Sequence, residues 1–128
     1  MTKKLILHKR ELQIMKIIWE SGQATVRDIY ETLLKKERIA YTTVSTMVNS
    51  LEEKGFLRHD VDGRTYIYKP LVAQEEVSQG MLQDLLERLF DGSTEMLLNT
   101  LIKVKNLNQD DLEQLWQRVA LESEENNE

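Results

Sequence analysis

The hydrophobic period of this chain changes at Gly55, and that change limits the folds open to it. Ahead of Gly55 the apolar residues recur at helical spacing. Leu12, Met15, Ile18 and Trp19 form one stripe, with Gly22 placed to end the helix. Val26, Ile29, Tyr30 and Leu33 form a second, opened by Thr25 with Asp28 three residues on as a box-like cap. Val44, Met47, Val48 and Leu51 form a third, with Thr42 as the expected cap and the helix running to Lys54. After Gly55, "FLRHDV" and "RTYIYK" read as two short strands around Asp62-Gly63, a pair suited to a tight turn whose two central residues must tolerate positive φ.

Three helices followed by a hairpin is the order of a winged helix-turn-helix. The plainer alternative is a small α+β domain with no ligand. The third helix discriminates between them. "YTTVSTMVNSLEE" sets Thr42, Thr43, Ser45, Thr46, Asn49 and Ser50 around its outer side, although each is a mediocre helix former costing a few tenths of a kcal/mol relative to Ala. Short hydroxyl and amide groups let a helix backbone approach the major groove while offering hydrogen bonds to phosphates and base edges. An ordinary solvated face is more often written with Glu, Lys and Gln. Lys54, Arg58 and Arg64 add cations at and beside the wing, where an arginine next to a tight turn can reach a phosphate or a narrow minor groove. A charged hairpin also protects an exposed strand edge. Tyr66 and Tyr68 alternate onto one face of the second strand and are expected to pack on the helices rather than stack on bases.

Net charge alone, −5, argues against a polyanionic partner, but the charge is divided unevenly at the single proline. Residues 1–70 carry thirteen Lys and Arg against nine Asp and Glu, net +4, and residues 71–128 carry four against thirteen, net −9. A basic module and an acidic one are therefore expected: a winged-helix domain at 1–70, a helical dimerisation domain at 71–122 and an acidic disordered tail at 123–128. The fold class expected is mainly α with a small β-hairpin.

The second half supports an oligomerisation arm on its own pattern. Val77, Met81, Leu82, Leu85, Leu86 and Leu89 make a stripe too wide to leave in water, continued after "DGS" by Met96, Leu97, Leu98, Leu101 and Ile102. Asn108 then caps a helix bearing Leu112, Leu115, Trp116 and Val119. Short helices with this much apolar surface and no long partner element are covered most economically by a symmetric copy, a homodimer. The alternative is that they fold back on the first domain.

Several chemistries are excluded or disfavoured. There is no cysteine, hence no disulfide, thiolate metal site or thiol redox sensor. The basic start "MTKKLILHKR" has an apolar run of only three residues, and no later run is long enough for a bilayer, so a cytoplasmic protein with no membrane partner is expected. His8 and His59 are the only histidines and neither has a regularly spaced nucleophile or carboxylate partner. With no phosphate-binding glycine loop and no metal spacing either, no enzyme activity, metal or cofactor is expected.

The segments "ELQIMKIIWESGQATVRDIYETL", "AYTTVSTMVNSLEEKGFL" and "GRTYIYKP", in that order and followed by an acidic helical tail, resemble the BlaI/MecI/CopY family of penicillinase-type transcriptional repressors. The resemblance runs from about Glu11 to Val119. It implies a homodimeric winged-helix repressor on a dyad-symmetric double-stranded DNA operator, with the carboxy-terminal helices as the dimerisation arm. It marks Thr43, Ser45 and Thr46 as groove-facing, Ser45 standing where some relatives have arginine. It further implies an inducing protease acting on the arm at a position that falls on Asn99-Thr100, where β-lactam-responsive members have Asn-Phe. The family's copper-responsive branch uses paired cysteines, which this chain lacks. Two other functions stay open: a winged helix that docks on a protein, and a DNA-binding sensor released by a small ligand.

Overall fold

The computed structural model describes residues 5–126. Among them the order is α1 (Lys9–Ser21), α2 (Val26–Leu34), α3 (Tyr41–Glu53), β1 (Leu57–Asp62), β2 (Thr65–Pro70), α4 (Gln74–Phe90), α5 (Thr94–Lys105) and α6 (Gln109–Asn126). This is the winged-helix order expected from the change of period.

The first compact unit runs to Gln83. Its core is built by Ile14, Met15 and Ile18 of α1, Ile29 and Leu33 of α2, and Val44, Val48 and Leu51 of α3, closed by Phe56, Leu57 and Tyr68 from the wing. The stripe on α1 is centred one residue away from the expected one: Ile14 is fully buried, while Leu12 and Trp19 are half-buried at its margin. Trp19 nevertheless has a structural task, because its indole Nε1 donates to the Val72 carbonyl at 2.9 Å. The unit does not stop at Pro70, since Val72 and Val77 are buried in the same core and draw the first turns of α4 into it. Gly80 of α4 lies where the Leu5 side chain crosses, a Cβ there standing 3.2 Å from that of Leu5.

Local chemistry accounts for the helix ends. Gly22 closes α1 at φ +82, its N–H reaching the Ile18 carbonyl at 2.7 Å. Thr25 and Asp28 exchange hydrogen bonds of 3.1 and 3.0 Å to form the capping box of α2. Thr42 is not the cap of α3: Ala40 is, without a side-chain bond, its carbonyl accepting from the Thr43 and Val44 N–H groups, and Thr42 lies inside the first turn. The half-buried Ile39 packs against the core just ahead of that turn, and the helix begins directly behind it.

The hairpin pairs Leu57 with Pro70 through Asp62 with Thr65. That register leaves Gly63 and Arg64 as the two turn residues, one position later than the expected Asp62-Gly63. Only Gly63 has positive φ, at +65, so the turn needs a left-handed residue at its first central position alone. The wing is tied to the helices by a short bridge in which Ala24 and Tyr68 exchange both backbone hydrogen bonds, at 3.0 and 2.8 Å.

The second unit begins at Asp84. The end of α4 turns through Asp91 and Gly92, at φ 50 and 80, into Ser93, whose hydroxyl accepts from the Met96 N–H at 3.1 Å. Asn108 caps α6, with Asp111 returning a bond to its N–H at 3.1 Å. The helix continues to Asn126, so residues 123–126, expected to be a disordered tail, are helical, and residues 127–128 lie outside the described residues. Phe90 is the one buried large apolar residue among the described residues of this unit. No helix among the described residues is long and apolar enough to cross a membrane.

Candidate nucleic-acid interface

The helix α3 carries no Lys or Arg between Tyr41 and Glu53. Its packed side is Val44, Val48 and Leu51, and Thr42, Thr43, Thr46 and Asn49 are exposed, with Ser45 and Ser50 half-buried at the flanks. Ser45 and Asn49, one turn apart, face the wing and help line a groove of about 470 Å³. The start of α2 contributes Thr25 and Arg27 to that groove, α3 contributes Tyr41, and the wing contributes Arg64, Thr65, Tyr66 and Tyr68. Its size and open form suit an extended polyanion running past α3 better than an enclosed small molecule.

The wing is held against α3 by polar and aromatic contacts. The Glu52 carboxylate meets His59 Nδ1, and the imidazole stacks on Tyr66 with ring centroids 4.2 Å apart and planes 12° apart. Tyr68 is buried as expected, with its hydroxyl donating to Asn49 Oδ1 at 3.3 Å, and burial pushes that phenol up from its ordinary pKa. Tyr66 does not pack on the helices. It is half exposed in the lining of the groove, its direct partner across the ladder being Val61, and its ring is covered by His59, which lies diagonally across the hairpin.

The three expected cations differ in availability. Arg64 is exposed at the turn and makes no ion pair among the described residues. Arg58 is paired with Asp60 at 2.7 Å, and Lys69 holds the other oxygen of that carboxylate at 2.8 Å. Those two partners, the lysine hydrogen bond first, keep Asp60 below the usual carboxylate range. Lys54 points its ammonium at Glu11 Oε2, 2.8 Å away, and not into the groove. Arg27, Tyr41 and Thr65 were not among the residues expected from the sequence. Arg27 sits in the first turn of α2, the helix preceding α3, which is the position that gives it access to the groove and the one signal by which it could have been found.

Leu82, near the end of the first unit, is exposed, and in the second unit Leu85, Leu89, Leu101, Leu112, Leu115, Trp116 and Val119 are exposed, Trp116 to 73 %, whereas Leu86 is half-buried. Asn99 and Thr100 lie exposed in the middle of α5. Among the described residues no group of three His, Asp or Glu side chains is placed to hold a metal ion.

A hydroxyl-faced third helix beside a hairpin with an unpaired arginine at its turn defines a winged-helix protein of the DNA-binding class. The chain matches the penicillinase repressor family over residues 7–120 and belongs to it. It is a winged-helix, DNA-binding transcriptional repressor. It is 33 % identical over 110 residues to the 16.5 kDa protein of the ptsI 3′ region of Latilactobacillus sakei, covering 86 % of this chain and 75 % of that one. It is 25 % identical over 107 residues to the penicillinase repressor of Bacillus licheniformis, covering 84 % of each. The solution structure of Bacillus licheniformis BlaI in its monomeric form, in complex with the blaP half-operator, is similar with a TM-score of 0.51 and 29 % identity, covering 59 % of this chain and 93 % of that one.

Proposed function

We propose that the chain is a homodimeric repressor that binds a dyad-symmetric operator, each winged unit laying α3 in a major groove with its wing alongside. The observation that carries the reading is the outer side of α3, where Thr42, Thr43, Thr46 and Asn49 are exposed while Val44, Val48 and Leu51 are fully buried. Such a helix can come close to base edges without exposing apolar bulk. A half-operator complex in a relative with the same fold supports it.

Dimerisation is carried by the second unit. Leu89, Leu101, Leu112, Leu115, Trp116 and Val119 all leave much of their surface in water in the single chain. Covering them with the same faces of a second copy links two half-sites into one strong site. Relief of repression by cutting between Asn99 and Thr100 belongs to the same reading: a cut there would detach Leu101, Leu112, Leu115 and Trp116 from the winged unit. The bond lies within a regular helix, so a protease must first unwind that turn of α5.

Footprinting the full chain on the DNA upstream of its own gene tests the function. Two symmetric protected half-sites whose centres lie one helical turn or a multiple apart are expected. Protection with no dyad, or none at any concentration that keeps the chain soluble, contradicts the reading.

A further inference from the structure

The recognition helix has no cation of its own and ends in Glu52 and Glu53, so charge for gripping a duplex must come from the elements beside it. Two guanidinium groups line the groove, Arg64 in the wing turn and Arg27 in the first turn of α2. Arg27 is positioned before any ligand arrives. Its Cζ lies 5.7 Å from the centroid of the Tyr41 ring, and Tyr41 is braced edge-on by Tyr30, with centroids 5.4 Å apart and planes at 73°. Among the described residues the carboxylate paired with it is Glu31, one turn along α2 at 3.6 Å, with both side chains mostly in water. An exposed pair of that kind contributes little and yields readily to a better anion.

We propose that Arg27 is a DNA phosphate contact, gripping the backbone strand on the α2 side of the groove as Arg64 grips it on the wing side. The inference rests on the reading of the winged unit as DNA-binding. In a helix-turn-helix the helix ahead of the recognition helix crosses the sugar-phosphate backbone, and the first turn of α2 is the part of it that lines this groove. A planar fork of donors held by an aromatic face suits a phosphate oxygen pair better than a flexible ammonium would.

The test is a salt titration of operator binding with the full chain, comparing wild type, Arg27→Ala, Arg27→Lys, Arg64→Ala and the Arg27→Ala/Arg64→Ala double variant. Each alanine variant should reduce the slope of log K against log salt by about 0.9, the double by about twice that, and Arg27→Lys should keep the wild-type slope because it keeps the charge. Thermal unfolding of each variant separates lost contacts from a lost brace on Tyr41. A steep wild-type slope left unchanged in Arg27→Ala overturns the inference and leaves the DNA-binding reading standing. So does a loss confined to one base-pair position, which would make Arg27 a base reader. A wild-type slope that is flat on every duplex overturns the DNA-binding reading itself.

Discussion

Lys54 at the end of α3 donates to Glu11 Oε2 in the first turn of α1 at 2.8 Å, and that carboxylate is buried. Its other oxygen accepts the His8 N–H at 3.0 Å, so one side chain caps α1 and anchors the end of α3. Burial opposes ionisation of Glu11, but the Lys54 hydrogen bond, the His8 N–H and the lysine charge together hold its carboxyl below the ordinary value. Lys54, expected from the sequence as a DNA contact, is in the structure the charged partner of a buried carboxylate and ties α3 to α1.

Replacing Lys54 with Met should therefore cost stability, about 1–2 kcal/mol at neutral pH, because a buried carboxylate loses its charged partner while half of the lysine was already in water. A depressed folded pKa contributes stability that is complete above the unfolded value and disappears as pH falls through the folded one. The difference between wild type and Lys54→Met should be full above pH 4.5 and should close below it. Urea unfolding across that range measures it, and a pH-independent difference would show that Lys54 acts through packing alone.

Gly63 should be the turn residue least tolerant of substitution. Its φ of +65 is strained for any residue with a Cβ, although nothing lies near enough for a clash. Gly63→Ala is expected to destabilise the winged unit by about 1–2 kcal/mol, and Asp62→Ala by much less, since Asp62 is an ordinary strand residue. Thermal denaturation of the two variants distinguishes this turn from one centred on Asp62-Gly63.

The wing arginines should separate in binding assays. Arg64→Ala is expected to lower affinity for all duplexes alike, whereas Arg58→Ala should change it little, because Arg58 is already held by Asp60. Equal losses in the two variants, measured by fluorescence anisotropy on operator and scrambled duplexes, would mean that the Arg58–Asp60 pair opens on DNA.

The arm should lose its partner when its most exposed aromatic is removed. Trp116→Ala combined with Leu112→Ala should shift sedimentation from dimer to monomer and weaken binding to the full operator far more than to a half-site. A variant that still sediments as a dimer would place the contact elsewhere.

Much of this architecture was legible because each element writes a local pattern. The period of Val44, Val48 and Leu51, the Thr25 and Asp28 box, the αL glycine at 22 and the cap at Asn108 all depend on residues within one turn of each other. What escaped the sequence depends on contacts across longer separations or on one-residue choices of register. The Lys54–Glu11 pair joins residues 43 apart, and the Ala24–Tyr68 bridge joins a loop to a strand. The hairpin turn moved by one position because an Asp-Gly pair does not by itself fix the register, and Asp62 pairs with Thr65 in the ladder. Tyr66 shares a face with Tyr68, but its ring stacks on His59, the direct ladder partner of Tyr68, in the place a helix was expected to fill. Arg27's one signal was its place in the first turn of the second helix, and only the placement of α2 beside the wing brings it to the groove.

If α3 reads DNA sequence, Thr46 is the residue to probe, being exposed on the outer side and, among the described residues, in no side-chain hydrogen bond. The measurement is the ratio of affinities for the footprinted operator and a scrambled duplex, for wild type and Thr46→Ala at one salt concentration. The variant should lose about 1–3 kcal/mol of operator binding, keep its affinity for the scrambled duplex and unfold at the same temperature. An unchanged ratio would contradict sequence reading by α3.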